Sequence, residues 1–233
     1  MRTVAIIPAA GSGSRTGSEI PKQFIRFNGK ELIAYTLEVF QRSALVDEIV
    51  VATSGSGFEQ LEEIKTKYGI SKISTVVQGG KERQDSVRAA LKAAKMSFDD
   101  LAAVHDAARA LLPVEVLNKA ILTASEKGSA LVCTRAKDTI AFIDDNQLDY
   151  IDRSKILIVQ TPQIFKYGEL MHAFDEAYSE NFYGTDESSL MRRAGFPVVI
   201  SDGSAYNFKV TTKEDCELVE RLIAVNRFEQ EGL

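Results

Sequence analysis

Short apolar runs rich in β-branched residues alternate with amphipathic helical patterns along the first 135 residues, which leaves the chain few architectures to choose from. The runs are VAII (4–7), EIVVAT (48–53), STVV (74–77), LAAVH (101–105) and SALVC (129–133). Between them lie KELIAYTLEVFQ after the Asn28-Gly29 turn, GFEQLEEIKTKYG, a helix around DSVRAALKAAK, and a helix from Pro113 to Gly128. Such alternation predicts βα units around a mainly parallel sheet with helices on both faces, a Rossmann-like three-layer sandwich. Ligands are then expected at the strand C-terminal ends.

The rhythm breaks at KDTIAFIDDNQLDYIDRS, residues 137–154, where two apolar-alternating arms flank an Asp-Asp-Asn-Gln turn. A β-hairpin arm is predicted there, ending at about residue 155. A two-stranded hairpin has little stability of its own, so it should lie on its own core or on a second subunit. The chain resumes with the strand ILIVQTP, a helix containing LMHAFDEAY and a short helix after Thr185. Strands at PVVIS and YNFKV follow, then a last helix whose Thr212 and Asp215 fit a capping box. No linker composition or repeat divides the 233 residues, so one domain, 1–233, is expected.

The first strand empties into a glycine loop, IIPAAGSGSRTGSEIPKQF (6–24), and such loops open both dinucleotide and triphosphate sites. Gly11 and Gly13 suit a dinucleotide site, but the next glycine is Gly17 and Pro21 would cut short a helix begun there. The second strand also ends in Thr53 and Ser54, without an acid for ribose hydroxyls. Backbone amides flanked by Arg15 and Lys22 suit a polyphosphate instead, because fixed cations stabilise charge that builds on phosphorus. A surface turn with two solvated charges is the plainer alternative. No Gly-Lys-Ser/Thr closes the loop, which disfavours ATPase or kinase chemistry of that type.

A net charge of −5 disfavours a general nucleic-acid or membrane surface and confines the useful cations to a local site. The two cysteines, Cys133 and Cys216, lack metal-ligand spacing and suit a reduced, cytoplasmic protein. The N-terminus enters a strand at Val4, so neither a signal peptide nor a membrane span is expected.

Three further stretches carry candidate chemistry. VHDAAR places His105, Asp106 and Arg109 at a strand end. The next helix starts too late for Asp106 to cap, so its carboxylate is a candidate Mg²⁺ ligand beside phosphate oxygens, while His105 is expected to be structural. GGKERQDSV (79–87) has two readings: Asp85 or Ser86 caps a helix behind a tight glycine turn, or Gly80 and Ser86 approach a base. In YNFKV a period of two sends Tyr206, Phe208 and Val210 one way and Asn207 and Lys209 the other. Lys209, like Arg153 at the end of the arm, is either a solvated charge or a cation for an anionic substrate.

In order along the chain, PAAGSGSR, PKQF, GGKERQDSV, VHDAAR, KDT, DRS, QTPQ, TDESSL and NFKVT closely resemble the 2-C-methyl-D-erythritol 4-phosphate cytidylyltransferase family of the non-mevalonate isoprenoid pathway. The resemblance runs from about residue 4 to 222, and HDAAR with DRS and QTPQ is its most specific part. It implies the fold of the nucleotide-diphospho-sugar transferases and transfer of CMP from CTP to the substrate's phosphate, with release of pyrophosphate and no protein nucleophile. Carried onto matching positions, it implies that Arg15 and Lys22 stabilise the five-coordinate phosphorus and that Asp106 helps hold Mg²⁺. Arg153 and Lys209 would position the attacking phosphate. Ala9, Ala10, Gly11, Gly13, Gly80 and Ser86 would line the CTP site, and Arg109, Thr139 and Thr185 would serve the erythritol phosphate. It also implies a homodimer in which the arm supplies Thr139 and Arg153 to the neighbouring site.

Two positions depart from the family pattern: Ala110 stands where proline is usual, and Thr16 where methionine is usual. Neither removes a functional group. Ribitol-5-phosphate cytidylyltransferases share the reaction type, but they typically have Val-Arg-Pro after HDA and lack DRS. A nucleotide-binding module without turnover would be marked by loss of Arg15, Lys22 or Asp106, and all three are present.

Overall fold

A computed structural model describes residues 1–11 and 20–225. In chain order the elements are β1 (Thr3–Ala9), β2 (Arg26–Phe27), β3 (Lys30–Glu31), α1 (Leu32–Arg42), β4 (Glu48–Thr53), α2 (Gly57–Lys67), β5 (Ile73–Gln78) and α3 (Arg83–Ala93). They continue with β6 (Leu101–Val104), α4 (Val114–Lys127), β7 (Ser129–Arg135), β8 (Ile140–Asp144), β9 (Gln147–Ile151) and β10 (Leu157–Lys166). The chain closes with α5 (Tyr167–Ser179), α6 (Glu187–Arg193), β11 (Ile200–Asp202) and α7 (Lys213–Ala224).

Seven strands form one sheet in the order β11-β7-β10-β6-β1-β4-β5. All neighbours run parallel except β10, which is antiparallel to both β6 and β7. The expected mainly parallel sandwich is therefore the observed fold. Alternate residues of β1 explain the near-continuous apolar run: Ala5 and Ile7 pack under α1, α2 and α4, while Val4 and Ile6 pack under α3 and α5. From β1 the chain steps outward through β4 to β5, then returns to β6 on the other side of β1. That reversal makes the C-terminal ends of β1 and β6 the topological switch point, where open α/β sheets bind ligands.

A third, smaller apolar cluster joins α7 and the β2–β3 hairpin to the loop after β6. It contains Phe27, Leu32, Ala108, Ala110, Leu111, Val210 and Val219. Ala110 is buried in it, so the position that departs from proline is packed rather than open.

YNFKV is not a strand, a correction to the sequence reading. Its backbone is held elsewhere, with Val210 N–H donating to the Ala108 carbonyl at 2.9 Å and Arg109 Nη1 to the Asn207 carbonyl at 2.7 Å. The alternation of its side chains survives, because Tyr206, Phe208 and Val210 join the small cluster while Asn207 and Lys209 point away from it. The helix begun at Pro113 forms with that proline at the cap, one position before the first helical residue. Thr212 and Asp215 form the expected capping box on α7.

The β8–β9 hairpin occurs where expected, closed by Asp145 and Asn146 at φ 45° and 63°, the left-handed pair of a two-residue turn. Among the described residues no helix is long and apolar enough to cross a membrane.

Candidate active site

A cavity of about 400 Å³ opens at the switch point, within the size range of ligand sites. Its floor is the end of β1, Pro8 to Gly11, and the loop after β6, Asp106 to Ala108. Its walls are Lys22 and Gln23, the Gly80–Ser86 turn into α3, and Lys209 with Thr211. Among the described residues four cations, Lys22, Lys81, Arg83 and Lys209, face two acids, Glu82 and Asp106. A chain of net charge −5 thus carries a locally positive pocket.

Close backbone approach shapes this pocket. A Cβ on Gly79 would overlap the side chain of Ala10, and one on Gly80 would overlap that of Asp85. The two glycines let the β1 loop and the start of α3 lie against each other. Glu82 caps α3, with its N–H donating to Asp85 Oδ2 at 3.0 Å. Neither Asp85 nor Ser86 is the cap the sequence offered: both lie inside α3, and Asp85 completes the capping box from the third helical position. Ser86 Oγ accepts from the Gly80 N–H at 3.1 Å and donates to the Glu82 carbonyl at 3.2 Å. Gln23, unremarked within PKQF, donates from Nε2 to the carbonyls of Ala9 (2.6 Å) and Gly11 (3.0 Å), and so fixes the entry to the glycine loop.

Lys22 opens a short 3₁₀ turn, Lys22–Phe24, and Nζ donates to the Val210 carbonyl at 3.0 Å. Asp106 is the centre of an ion network. Its Oδ1 meets Arg83 Nε at 2.9 Å, and its Oδ2 meets Lys209 Nζ at 2.9 Å and Arg109 Nε at 3.5 Å. Burial alone would raise its pKa, but the charges of Arg83, Lys209 and Arg109 outweigh burial and hold the carboxyl far below the usual carboxylate range. Arg109 sits deeper, where burial lowers its pKa against the pull of Asp106. It does not line the cavity.

QTPQ, which the sequence offered without a role, is the seam behind the network. The β10 ladder to β7 shifts register between Val159 and Gln163. Thr161 Oγ1 there accepts the Asp106 N–H at 3.1 Å and lies 3.0 Å from His105 Nδ1. Asn207 Nδ2 donates to the Thr161 carbonyl at 2.7 Å, which draws the Lys209 segment to the same seam. His105 is fully buried and its Nε2 lies 3.2 Å from the Arg109 carbonyl, in keeping with a structural role.

Of the candidate residues, Ala9, Ala10, Gly11, Lys22, Gly80, Ser86, Asp106 and Lys209 line one cavity. Arg15 and Gly13 lie outside the described residues, as does Thr16. Thr139 and Arg153 are exposed on the arm and do not line the cavity, and Arg153 Nη1 donates to the Lys137 carbonyl at 2.8 Å. Thr185 is exposed just before Asp186, which caps α6.

The sequence match decides the family. The family model of 2-C-methyl-D-erythritol 4-phosphate cytidylyltransferase matches residues 3–224. The chain belongs to that family. Curated relatives of that name include those of Geotalea uraniireducens, 39% identical with 96% of this chain and 97% of the relative covered, and of Clostridium acetobutylicum, 39% identical with 95% and 97% covered. Solved structures agree. The 4-diphosphocytidyl-2C-methyl-D-erythritol synthase of Anaerococcus prevotii superposes with a TM-score of 0.84 at 26% identity, covering 96% of this chain and 98% of that one. The 2-C-methyl-D-erythritol 4-phosphate cytidylyltransferase of Francisella tularensis gives 0.79 at 30% identity, covering 95% and 99%. Membership makes the protein a nucleotidyltransferase.

Proposed function

We propose that the whole chain acts as one nucleotidyltransferase unit, transferring CMP from CTP to 2-C-methyl-D-erythritol 4-phosphate. The observation that carries this reading is the cationic cavity around Asp106 in a chain of this family. An oxygen of the acceptor's phosphate forms a bond to the α-phosphorus, the bond from that phosphorus to the bridging oxygen breaks, and pyrophosphate leaves with the electron pair. No protein nucleophile is needed, so positioning and fixed charge supply the catalysis.

Ala9, Ala10, Gly11 and Gly13 present backbone to the triphosphate, with Gly80 and Ser86 at the nucleoside. Lys22 and Arg15 stabilise the five-coordinate phosphorus. Lys209 takes the acceptor phosphate, and Arg109 and Thr185 serve the rest of the acceptor. One carboxylate bordering a cationic cavity is the donor set that Mg²⁺ takes alongside phosphate oxygens and water, and Asp106 meets it. When bound, the ion would neutralise charge on the triphosphate.

The arm carries the second half of the reading. Ile143, Leu148 and Tyr150 are 73%, 61% and 62% exposed, more apolar surface than a lone hairpin can hold in water. A homodimer that covers the arm would bring Thr139 and Arg153 to the neighbouring cavity.

The test is Mg²⁺-dependent pyrophosphate release from CTP, with 2-C-methyl-D-erythritol 4-phosphate in one tube and D-ribitol 5-phosphate in another. Release in the first alone is expected. Release only in the second would keep the mechanism and change the acceptor, and silence in both would leave a nucleotide-binding module.

A further inference from the structure

Glu187 is the first residue of α6 and does not line the cavity, yet its side chain is only 2% exposed. A buried carboxylate is costly unless a cation and good hydrogen bonds compensate, and an apolar side chain of similar volume would pack there without that cost. The compensation is a fork, in which Arg83 Nη1 donates to Oε1 at 2.7 Å and Nη2 to Oε2 at 3.1 Å. Two parallel bonds fix the plane of the guanidinium and leave Nε directed at Asp106 Oδ1, 2.9 Å away. With Oδ1 held, Oδ2 is turned to Lys209 at 2.9 Å.

Helix dipoles explain only half of the pair, because Glu187 at the first position of α6 is favoured by the positive helix end. Arg83 is the first residue of α3, where the positive end of the helix dipole disfavours a cation. Charge balance offers a better reason. Without Glu187, Asp106 would face three cations as the single acid of the network, whereas Glu187 absorbs much of the Arg83 charge and leaves Asp106 its own.

Resting on the reaction proposed above, we propose that Glu187 is a positioning residue for it: through Arg83 it orients the Asp106 carboxylate, and through Asp106 it places the Lys209 ammonium in the cavity. Neither Glu187 nor Arg83 drew attention as a site residue in the sequence. They lie 104 residues apart and meet only in the fold.

Two variants test this. Glu187→Gln keeps the shape and loses the charge, and it should lower kcat about 10- to 100-fold, as loss of an orienting partner does at other sites. The KM for CTP should change by less than about threefold, because the nucleotide's backbone contacts remain. The double variant Arg83→Met, Glu187→Leu leaves no unpaired buried ion, so it should melt at or above the wild-type temperature and still lose kcat to the same extent. A merely structural pair predicts instead that the stable double variant turns over like wild type, and that result would overturn the proposal. Should Glu187→Gln fail to fold, the double variant decides. Crystal structures of the variants judge the network even if wild type releases no pyrophosphate. Asp106 leaving Lys209 supports it, and an unchanged Asp106–Lys209 pair sinks it, whereas a silent wild type counts only against the reaction.

Discussion

The loop after β6 and the β8–β9 arm both carry residues assigned to one reaction, yet they are built on opposite principles. In the loop the side chains of His105 and Asp106 are held within the chain. Asp106 is tied by three cations and by Thr161, and His105 by Thr161 and the Arg109 carbonyl. In the two strands of the arm every residue but Ile140 is exposed, and among the described residues the strands pair only with each other. The loop is pre-organised before any ligand arrives, as electrostatic stabilisation of a transition state requires. The arm is an unfinished surface, whose apolar side chains gain nothing until something covers them.

The largest effect should come from removing charge on the pre-organised side. Lys22→Ala is expected to lower kcat by about 10²- to 10³-fold, the loss seen when one donor to a developing charge is deleted. Lys22 is half-buried and lines the cavity, and its loss empties no apolar core position, so the fold should persist. Pyrophosphate release and thermal melting on the same sample check both halves. Wild-type turnover would remove Lys22 from the chemistry.

The second test breaks the comparison from the side of the arm. Arg153→Ala and Lys22→Ala chains should each be nearly inactive as pure dimers. In a co-refolded equal mixture half the dimers are mixed, and each mixed dimer has one site with neither lesion if the arm acts in trans. Activity should then return to roughly a quarter of wild type, the statistical share for a two-fold dimer. No recovery at all would mean that Arg153 serves its own chain or none.

How far the sequence could be read follows the same divide. Local patterns carried through: the apolar runs became strands, Asn28-Gly29 turned a hairpin, Thr212 and Asp215 capped α7, and the arm fell where its alternation ended. The switch point was legible because the glycine loop and HDAAR both follow strands. What escaped was set by partners distant in sequence. YNFKV has the alternation of a strand, but its backbone bonds go to a loop about a hundred residues away, so the side-chain pattern held while the ladder did not. Arg83 resembles any charged residue at a helix start until Glu187 is seen against it. Gln23 and Thr161 stood inside quoted motifs, yet their value lies in the carbonyls and amides they hold, which no motif spells out.

The smallest expected effect sharpens the claim that the loop's order is internal. His105 is fully buried beside Asp106, and burial pushes its pKa from 6.5 down to about 4, although the neighbouring Asp106 charge pulls the other way. Between those values the unfolded chain binds a proton that the folded chain refuses, so stability is fully present above the unfolded value and is lost as pH falls toward 4. The loss amounts to at most ~3 kcal/mol at 1.36 kcal/mol per unit. Denaturant unfolding at several pH values from 7 to 4 should show that decline in wild type, superposed on the background of other groups. His105→Gln, which cannot titrate, is expected to be less stable at pH 7 but flatter across the interval. Parallel curves for the two proteins would mean that His105 does not stay neutral in the fold, and the loop would then owe its order to the ion network alone.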